Sequence, residues 1–131
     1  VAKRLAGCGA GHEYYAVAEN GDLYPCHQFV GREGYRLGSV FTGVESMELP
    51  TYFRNSHVLN KPLCRDCWAR FYCSGGCHAN ADLFHGDIRH PYELGCEIQK
   101  KRLECAILVQ AVLALEQEAE EETPEEMRKR A

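Results

Sequence analysis

"CRDCWARFYCSGGC", residues 64–77, places four cysteines in fourteen positions, with intervals of two, five and three. Neither a helix nor a strand calls for so many thiols in so short a stretch. Four more stand at Cys8, Cys26, Cys96 and Cys105. Eight cysteines read as disulfides in a secreted mini-protein and as metal ligands in an intracellular one. Cysteines two residues apart make poor disulfide partners, because the S–S bond demands a specific geometry. The same spacing lets a short turn aim two sulfurs at one metal centre. Nothing in the sequence argues for secretion, so metal ligation in the cytoplasm is the expectation, with a disulfide framework as the outlying alternative.

Composition sets the outer bounds. The net charge is −4 and the basic residues are scattered, which argues against a nucleic-acid partner. No apolar run approaches the roughly 20 residues of a membrane span, and no signal-peptide pattern opens the chain. At 131 residues one domain is expected, with a small core that gains from staples. The opening "VAKRLAGCGAG" reads as mid-domain sequence, as in a piece of a larger protein.

The expected fold is a small α+β domain with an N-terminal β-hairpin, cysteine-bearing loops and a long C-terminal helix. In "HEYYAVAENGDLYPCHQF" (residues 12–29) Tyr14, Tyr15 and Val17 suggest one strand, and Leu23 and Tyr24 its return. Asn20-Gly21 between them is a strong two-residue turn signal, and Pro25 confines the return strand to an edge or an end. "YRLGSVF" (35–41) suggests a third strand, and Pro50 a first-turn residue of a helix over "TYFRNSHV". Residues 64–77 read as loop and short turns, with Gly75-Gly76 permitting tight backbone approach. "CHANADLF" reads as helical until Gly86. From about Glu93 to Glu120 a long helix is expected, because Ile98, Cys105 and Val112, like Leu108 and Leu115, recur every seven residues. The domain boundaries follow as 1–118, with a charged, frayed tail at 119–131 in which Thr123-Pro124 and Glu126 offer one more capped turn.

Two metal chemistries compete. A zinc module would use Cys64, Cys67, Cys73 and Cys77, or borrow from six histidines, and would act as a structural or protein-interaction module without redox activity. It leaves Cys8, Cys26 and Cys96 without a role. Iron–sulfur clusters accommodate more sulfurs drawn from distant segments.

The whole pattern is Cys8, twelve residues, Gly21, four residues, Cys26, then Cys64, Cys67, Cys73 and Cys77, then Cys96. It closely resembles the seven-cysteine signature of the SPASM domain, the auxiliary-cluster extension of radical S-adenosylmethionine enzymes that modify peptides and proteins. The flanking "CGAGHEYYAV", "GDLYPCHQFVG", "CRDCWARFYCSGGCHANA" and "KRLECAI" are similar to the maturases of SCIFF peptides, which install thioether cross-links in a small cysteine-rich ribosomal peptide. The resemblance covers residues 8–96 and implies two auxiliary 4Fe-4S clusters. Cys8, Cys26 and Cys77 would hold the first; Cys64, Cys67, Cys73 and Cys96 would hold the second. A fourth ligand of the first cluster lies just upstream of the Cys8 position in some SPASM domains, and residues 1–7 contain no cysteine. Either that ligand precedes Val1 or the cluster keeps an open iron for a substrate thiolate.

The Cys-x3-Cys-x2-Cys motif that cleaves S-adenosylmethionine is missing: Cys73, Cys77 and Asn80 have its spacing, but the third residue is asparagine. The chain should therefore be inactive alone and work beside the radical-generating barrel of the same parent protein, where S-adenosylmethionine would bind. There a radical would take hydrogen from the peptide acceptor carbon, a peptide thiolate would bond to that carbon, and the surplus electron would pass to an auxiliary cluster. The cysteine-rich precursor peptide is the implied partner of this oxidoreductase.

The remaining residues take plainer roles. Cys105, on the helix stripe, is expected as a buried free thiol. His27 and His78 follow expected ligands, where a hydrogen bond to cluster sulfur and a surface position are equally open. His12, His57, His85 and His90 show no ligand spacing and read as solvated or capping. Trp68, Phe71 and Tyr72 are expected to pack and incidentally shield the second cluster. Lys100, Lys101 and Arg102 read as a solvated face.

Overall fold

The structure is a computed structural model that describes residues 5–121, with side chains through residue 119. The strands are β1 (Ala16–Val17), β2 (Asp22–Tyr24), β3 (Gly38–Ser39) and β4 (Gly43–Val44), and a 3-10 turn spans His27–Phe29. The helices are α1 (Glu48–Asn55), α2 (Pro62–Arg65), α3 (Arg70–Cys73), α4 (His78–His85) and α5 (Glu93–Glu121). The strands form one antiparallel meander in the order β1-β2-β3-β4. Ala16 pairs with Tyr24, Leu23 with Gly38, and Ser39 with Gly43. This is a small α+β protein with a four-stranded sheet and a long C-terminal helix.

The hairpin forms where expected, but its loop has three residues. The Ala18 N–H donates to Asp22 O at 2.9 Å, and the Gly21 N–H returns to Ala18 O at 2.9 Å. Gly21 adopts φ 87°, while Asn20 stays at negative φ and its side-chain oxygen accepts the Asp22 N–H at 3.1 Å. A tight turn followed by a left-handed glycine is the three-residue hairpin solution. β1 begins only at Ala16, and Tyr14 instead bridges Ala10. The third strand is likewise shorter than expected, and β4 follows it immediately.

The core lies between the sheet and the helices. Phe29 and Phe53 are fully buried and meet edge to face, with centroids 5.4 Å apart. Ala10, Tyr24, Cys26, Ala79 and Ile88 complete the cluster. Asp82, on α4 and 7% exposed, forms an ion pair with Arg32 and accepts the Tyr35 hydroxyl. Buried charge of this kind persists where it is paired and hydrogen-bonded, and here it fastens α4 to the loop after the 3-10 turn. Pro50 falls in the first turn of α1, and Gly86, at φ 67°, ends α4.

The chain divides into two compact units, Val1–Cys96 and Glu97–Ala131, with the boundary inside α5. The described part of the second unit is helix alone. Lys100 pairs with Glu97 at 2.9 Å and Lys101 with Glu104 at 2.7 Å, as one-turn neighbours on a helix do. Cys105 is exposed, as are Leu108, Val112 and Leu115, which corrects the expectation of a buried thiol: one helix cannot cover its own apolar stripe. The helix runs to Glu121, close to the expected end at about Glu120, and the expected cap at Thr123-Pro124 and Glu126 lies outside the described residues. Among the described residues, no helix is long and apolar enough to cross a membrane.

Candidate metal centres

All eight cysteines are free thiols, and seven of them fall into two groups. Cys8, Cys26 and Cys77 line one cleft of about 350 Å³ together with Tyr14 and Gln28. Local structure explains the convergence. Gly9 O accepts N–H groups from His12, Glu13 and Tyr14 at 2.7–3.2 Å, a turn that brings Tyr14 back beside Cys8. Cys26 caps the 3-10 turn and Cys77 caps α4. Burial pushes the Cys26 thiol up, and neighbouring Cys77 and Cys8 push it further. The Tyr14 hydroxyl is raised by burial, by all three thiols and by its hydrogen bond with Cys8. Gln28 Nε2 donates to Cys77 Sγ at 3.7 Å. Cys8 and Cys77 are exposed, whereas Cys26 is buried.

Cys64, Cys67, Cys73 and Cys96 form the second group. The Cys67 N–H donates to Cys64 O at 3.1 Å, the Cys73 N–H closes α3 on Ala69 O at 2.8 Å, and the Cys96 N–H opens α5 on Tyr92 O at 3.1 Å. Cys64 is buried and the other three are half-buried. Burial pushes the Cys64 thiol up to about 11; Lys61 opposes this, while Cys96, Cys73 and Cys67 add to it. These four groups therefore lie within electrostatic reach of one another.

Cys73 and Cys77 belong to different groups although only three residues separate them. Those three are Ser74, Gly75 and Gly76, at φ 60°, 90° and 72°. Consecutive left-handed residues reverse the chain, and glycine adopts that conformation without the Cβ penalty. After this reversal Cys77 lines the first cleft, while Cys73 acts on Cys64. Lys61 sits beneath it, 0% exposed, with Nζ donating to Gly75 O at 2.9 Å. Burial drives its ammonium pKa down, and Cys64, Cys73, Cys8 and Cys77 hold it up. Lys61 is thus a buried lysine within electrostatic reach of both sulfur groups. Arg70 spans the other side, donating to Cys67 O at 3.1 Å, while its buried Nε has no hydrogen-bond partner.

The neighbours differ in part from expectation. His78 is 3% exposed; its Nε2 faces Ser56 O at 3.2 Å, and its ring meets Phe53 edge-on at 5.4 Å. Burial first and Lys61 second lower its pKa to about 4, so it is a neutral core histidine. His27 is exposed. Trp68 and Tyr72 are 51% and 64% exposed, because short helical turns point them outward; Arg70 covers Phe71 at 4.7 Å. Sequence reasoning missed Lys61 and Tyr14, whose positions depend on long-range packing with no local signature. It also set aside His85 and His90, whose Nε2 atoms approach Glu93 at 2.8 and 2.9 Å.

No family model matches the chain. A relative in Archaeoglobus fulgidus, named only as an uncharacterized protein, is 31% identical over 101 residues. The match covers 74% of this chain and 24% of that protein, so the chain spans about a quarter of the relative's length.

Proposed function

We propose that the chain is an auxiliary iron–sulfur domain, of the SPASM kind, within a cytoplasmic radical S-adenosylmethionine enzyme that forms thioethers in a cysteine-rich peptide. Cys8, Cys26 and Cys77 would hold one 4Fe-4S cluster, and Cys64, Cys67, Cys73 and Cys96 the other. The observation that carries the reading is the grouping of seven free thiols, three around one cleft and four around Cys64, with a buried lysine shared between them.

Seven sulfurs in two groups suit clusters, which draw about four thiolates each from distant segments, over one tetrahedral zinc, which would leave three of them without a role. The donor set also fits by charge: a buried ammonium beside metal-bound, anionic sulfur is compensated, whereas beside neutral thiols it is not. The relative, of which the chain covers 24%, accords with a domain of a longer protein.

When bound, the clusters would supply one-electron acceptance and, at any iron lacking a protein ligand, a position for thiolate. The chain's own residues do the rest. Cys8 and Cys77 keep the first cleft open to solvent, so a peptide cysteine can enter. Tyr14 and Gln28 place polar groups against Cys8 and Cys77, where hydrogen bonds tune sulfur basicity and orient an incoming thiolate. Cys64, Lys61 and Arg70 give the second site a more enclosed, cationic surround.

Anaerobic purification followed by iron, sulfide and zinc analysis tests the proposal. About eight irons and eight sulfides per chain are expected, the content of two cubanes. Cys96→Ser and Cys77→Ser should each remove about half. Stoichiometric zinc without iron would instead establish a zinc-stapled module and end the cluster reading.

A further inference from the structure

We propose that His85, His90 and Glu93 form a binding site for a divalent first-row transition metal ion, with two imidazole nitrogens and one carboxylate oxygen as ligands. The three donor atoms all lie within 4.8 Å of one another. His85 Nε2 stands 2.8 Å from Glu93 Oε2, and His90 Nε2 stands 2.9 Å from Glu93 Oε1. Two metal–ligand bonds of about 2.1 Å set at right angles separate their donors by about 3.0 Å, whereas a tetrahedral angle separates them by about 3.4 Å. The two short spacings run to different oxygens of Glu93, and one donor atom from each residue falls within reach of a single ion. Two nitrogens and one oxygen suit Fe²⁺, Co²⁺, Ni²⁺ or Zn²⁺; Ca²⁺ and Mg²⁺ prefer all-oxygen sets, and Cu⁺ prefers sulfur.

The site is built on held backbone. His85 is the last residue of α4, and the Gly86 N–H closes that helix on Asp82 O at 2.7 Å. Ile88 is fully buried and anchors the connecting loop in the core. Asp87 accepts the Tyr52 hydroxyl at 2.8 Å and the Arg89 guanidinium at 2.9 Å. Phe84 and Tyr92 stack at 4.2 Å with an interplanar angle of 12°, clamping the two flanks of the site together. The imidazole rings lie 4.0 Å apart. The side chains of His85, His90 and Glu93 are 26%, 44% and 59% exposed, which leaves the remaining coordination positions open to water or a small ligand. A bound ion would tie the end of α4, which starts beside Cys77, to the first turn of α5, which carries Cys96. The site is independent of how the cysteines are used.

Cobalt(II) added anaerobically to the full chain is the probe, followed by absorption and proton NMR together. Cobalt on thiolates produces intense sulfur-to-metal charge-transfer absorption. Cobalt at this site shifts histidine ring protons paramagnetically and adds only weak visible bands. We expect one cobalt per chain shifting the ring protons of two histidines. Affinity should fall more than about 100-fold in His90→Ala and in Glu93→Gln, beyond the cost of losing an outer partner. Glu93→Gln keeps the side-chain length and an acceptor for an imidazole N–H, so loss of binding there reports lost ligation and not lost packing. Cobalt confined to thiols overturns the site, as do shifted histidine signals that persist unchanged in both variants.

Discussion

Replacing Lys61 by methionine should change stability in opposite directions according to whether the cysteines carry metal. Lys61 is 0% exposed and gives one hydrogen bond, to Gly75 O at 2.9 Å. Methionine keeps most of the buried stem and removes the charge. In metal-free protein at pH 7 the facing Cys64 thiol is neutral, since burial holds it at about 11. The ammonium then bears a desolvation cost of several kcal/mol, offset by about 1.5–3 kcal/mol from its hydrogen bond. Lys61→Met should therefore stabilise this form by about 2 kcal/mol, or roughly 8–16 °C in Tm for a unit of this size. With metal bound the sulfurs are anionic. A unit charge about 6–8 Å from another contributes about 2–3 kcal/mol at an effective dielectric of about 20. The same variant should then destabilise the loaded form by about 2–4 kcal/mol and lower the reduction potential by about 90 mV for one electron. Guanidinium unfolding of both forms, with anaerobic potentiometry of the loaded one, measures each quantity. A stabilised loaded form, or a potential unmoved by the substitution, would falsify the shared-cation argument.

Phe53→Ala should cost about 3–5 kcal/mol, because Phe53 is fully buried and touches Phe29, Tyr35, Tyr52 and His78 through ring contacts; chemical denaturation of the loaded protein reads this directly, and a loss under 1 kcal/mol would displace Phe53 from the core. Arg36 bridges Asp22 at 2.7 Å and Glu45 at 2.8 Å and holds both carboxyls below their usual range. That support is present above the ordinary carboxylate pKa and is lost as pH falls through the lowered values, so Arg36→Gln should flatten the acid limb of a Tm-against-pH curve, with the difference shrinking in salt. Cys105→Ser should leave iron content unchanged and abolish the fastest reaction of the native protein with a thiol reagent, as counted by chromophore release.

Some elements were legible because their signals are local. Gly86 after "CHANADLF" marks the end of α4, and Pro50 marks the first turn of α1. The α5 periodicity gave the helix, but periodicity reports a face and not its burial, so Cys105 was misplaced. Asn20-Gly21 announced a hairpin, yet loop length depends on one residue of register, and Tyr14 left the strand for a bridge with Ala10 that no local pattern marks. The concentration of four cysteines in residues 64–77 was visible from spacing, whereas their division with Cys8, Cys26 and Cys96 came from the resemblance. Lys61 was not visible, since a lysine before proline has no local reason to be buried. His85, His90 and Glu93 escaped notice because a helix end, a loop and a helix start bring them together only once Ile88 is anchored and Phe84 stacks on Tyr92.

The left-handed run at Ser74–Gly76 also bears on the order in which the protein can be assembled. Every thiol of the first cleft has been synthesised once residue 77 emerges from the ribosome, whereas the other group waits for Cys96, nineteen positions later. During that interval Cys64, Cys67 and Cys73 lack their fourth companion, and the backbone reversal stands between Cys73 and the three thiols already made. Loosening the reversal would therefore show itself in nascent chains, as Cys73 mixing with the earlier thiols, before it altered the finished protein.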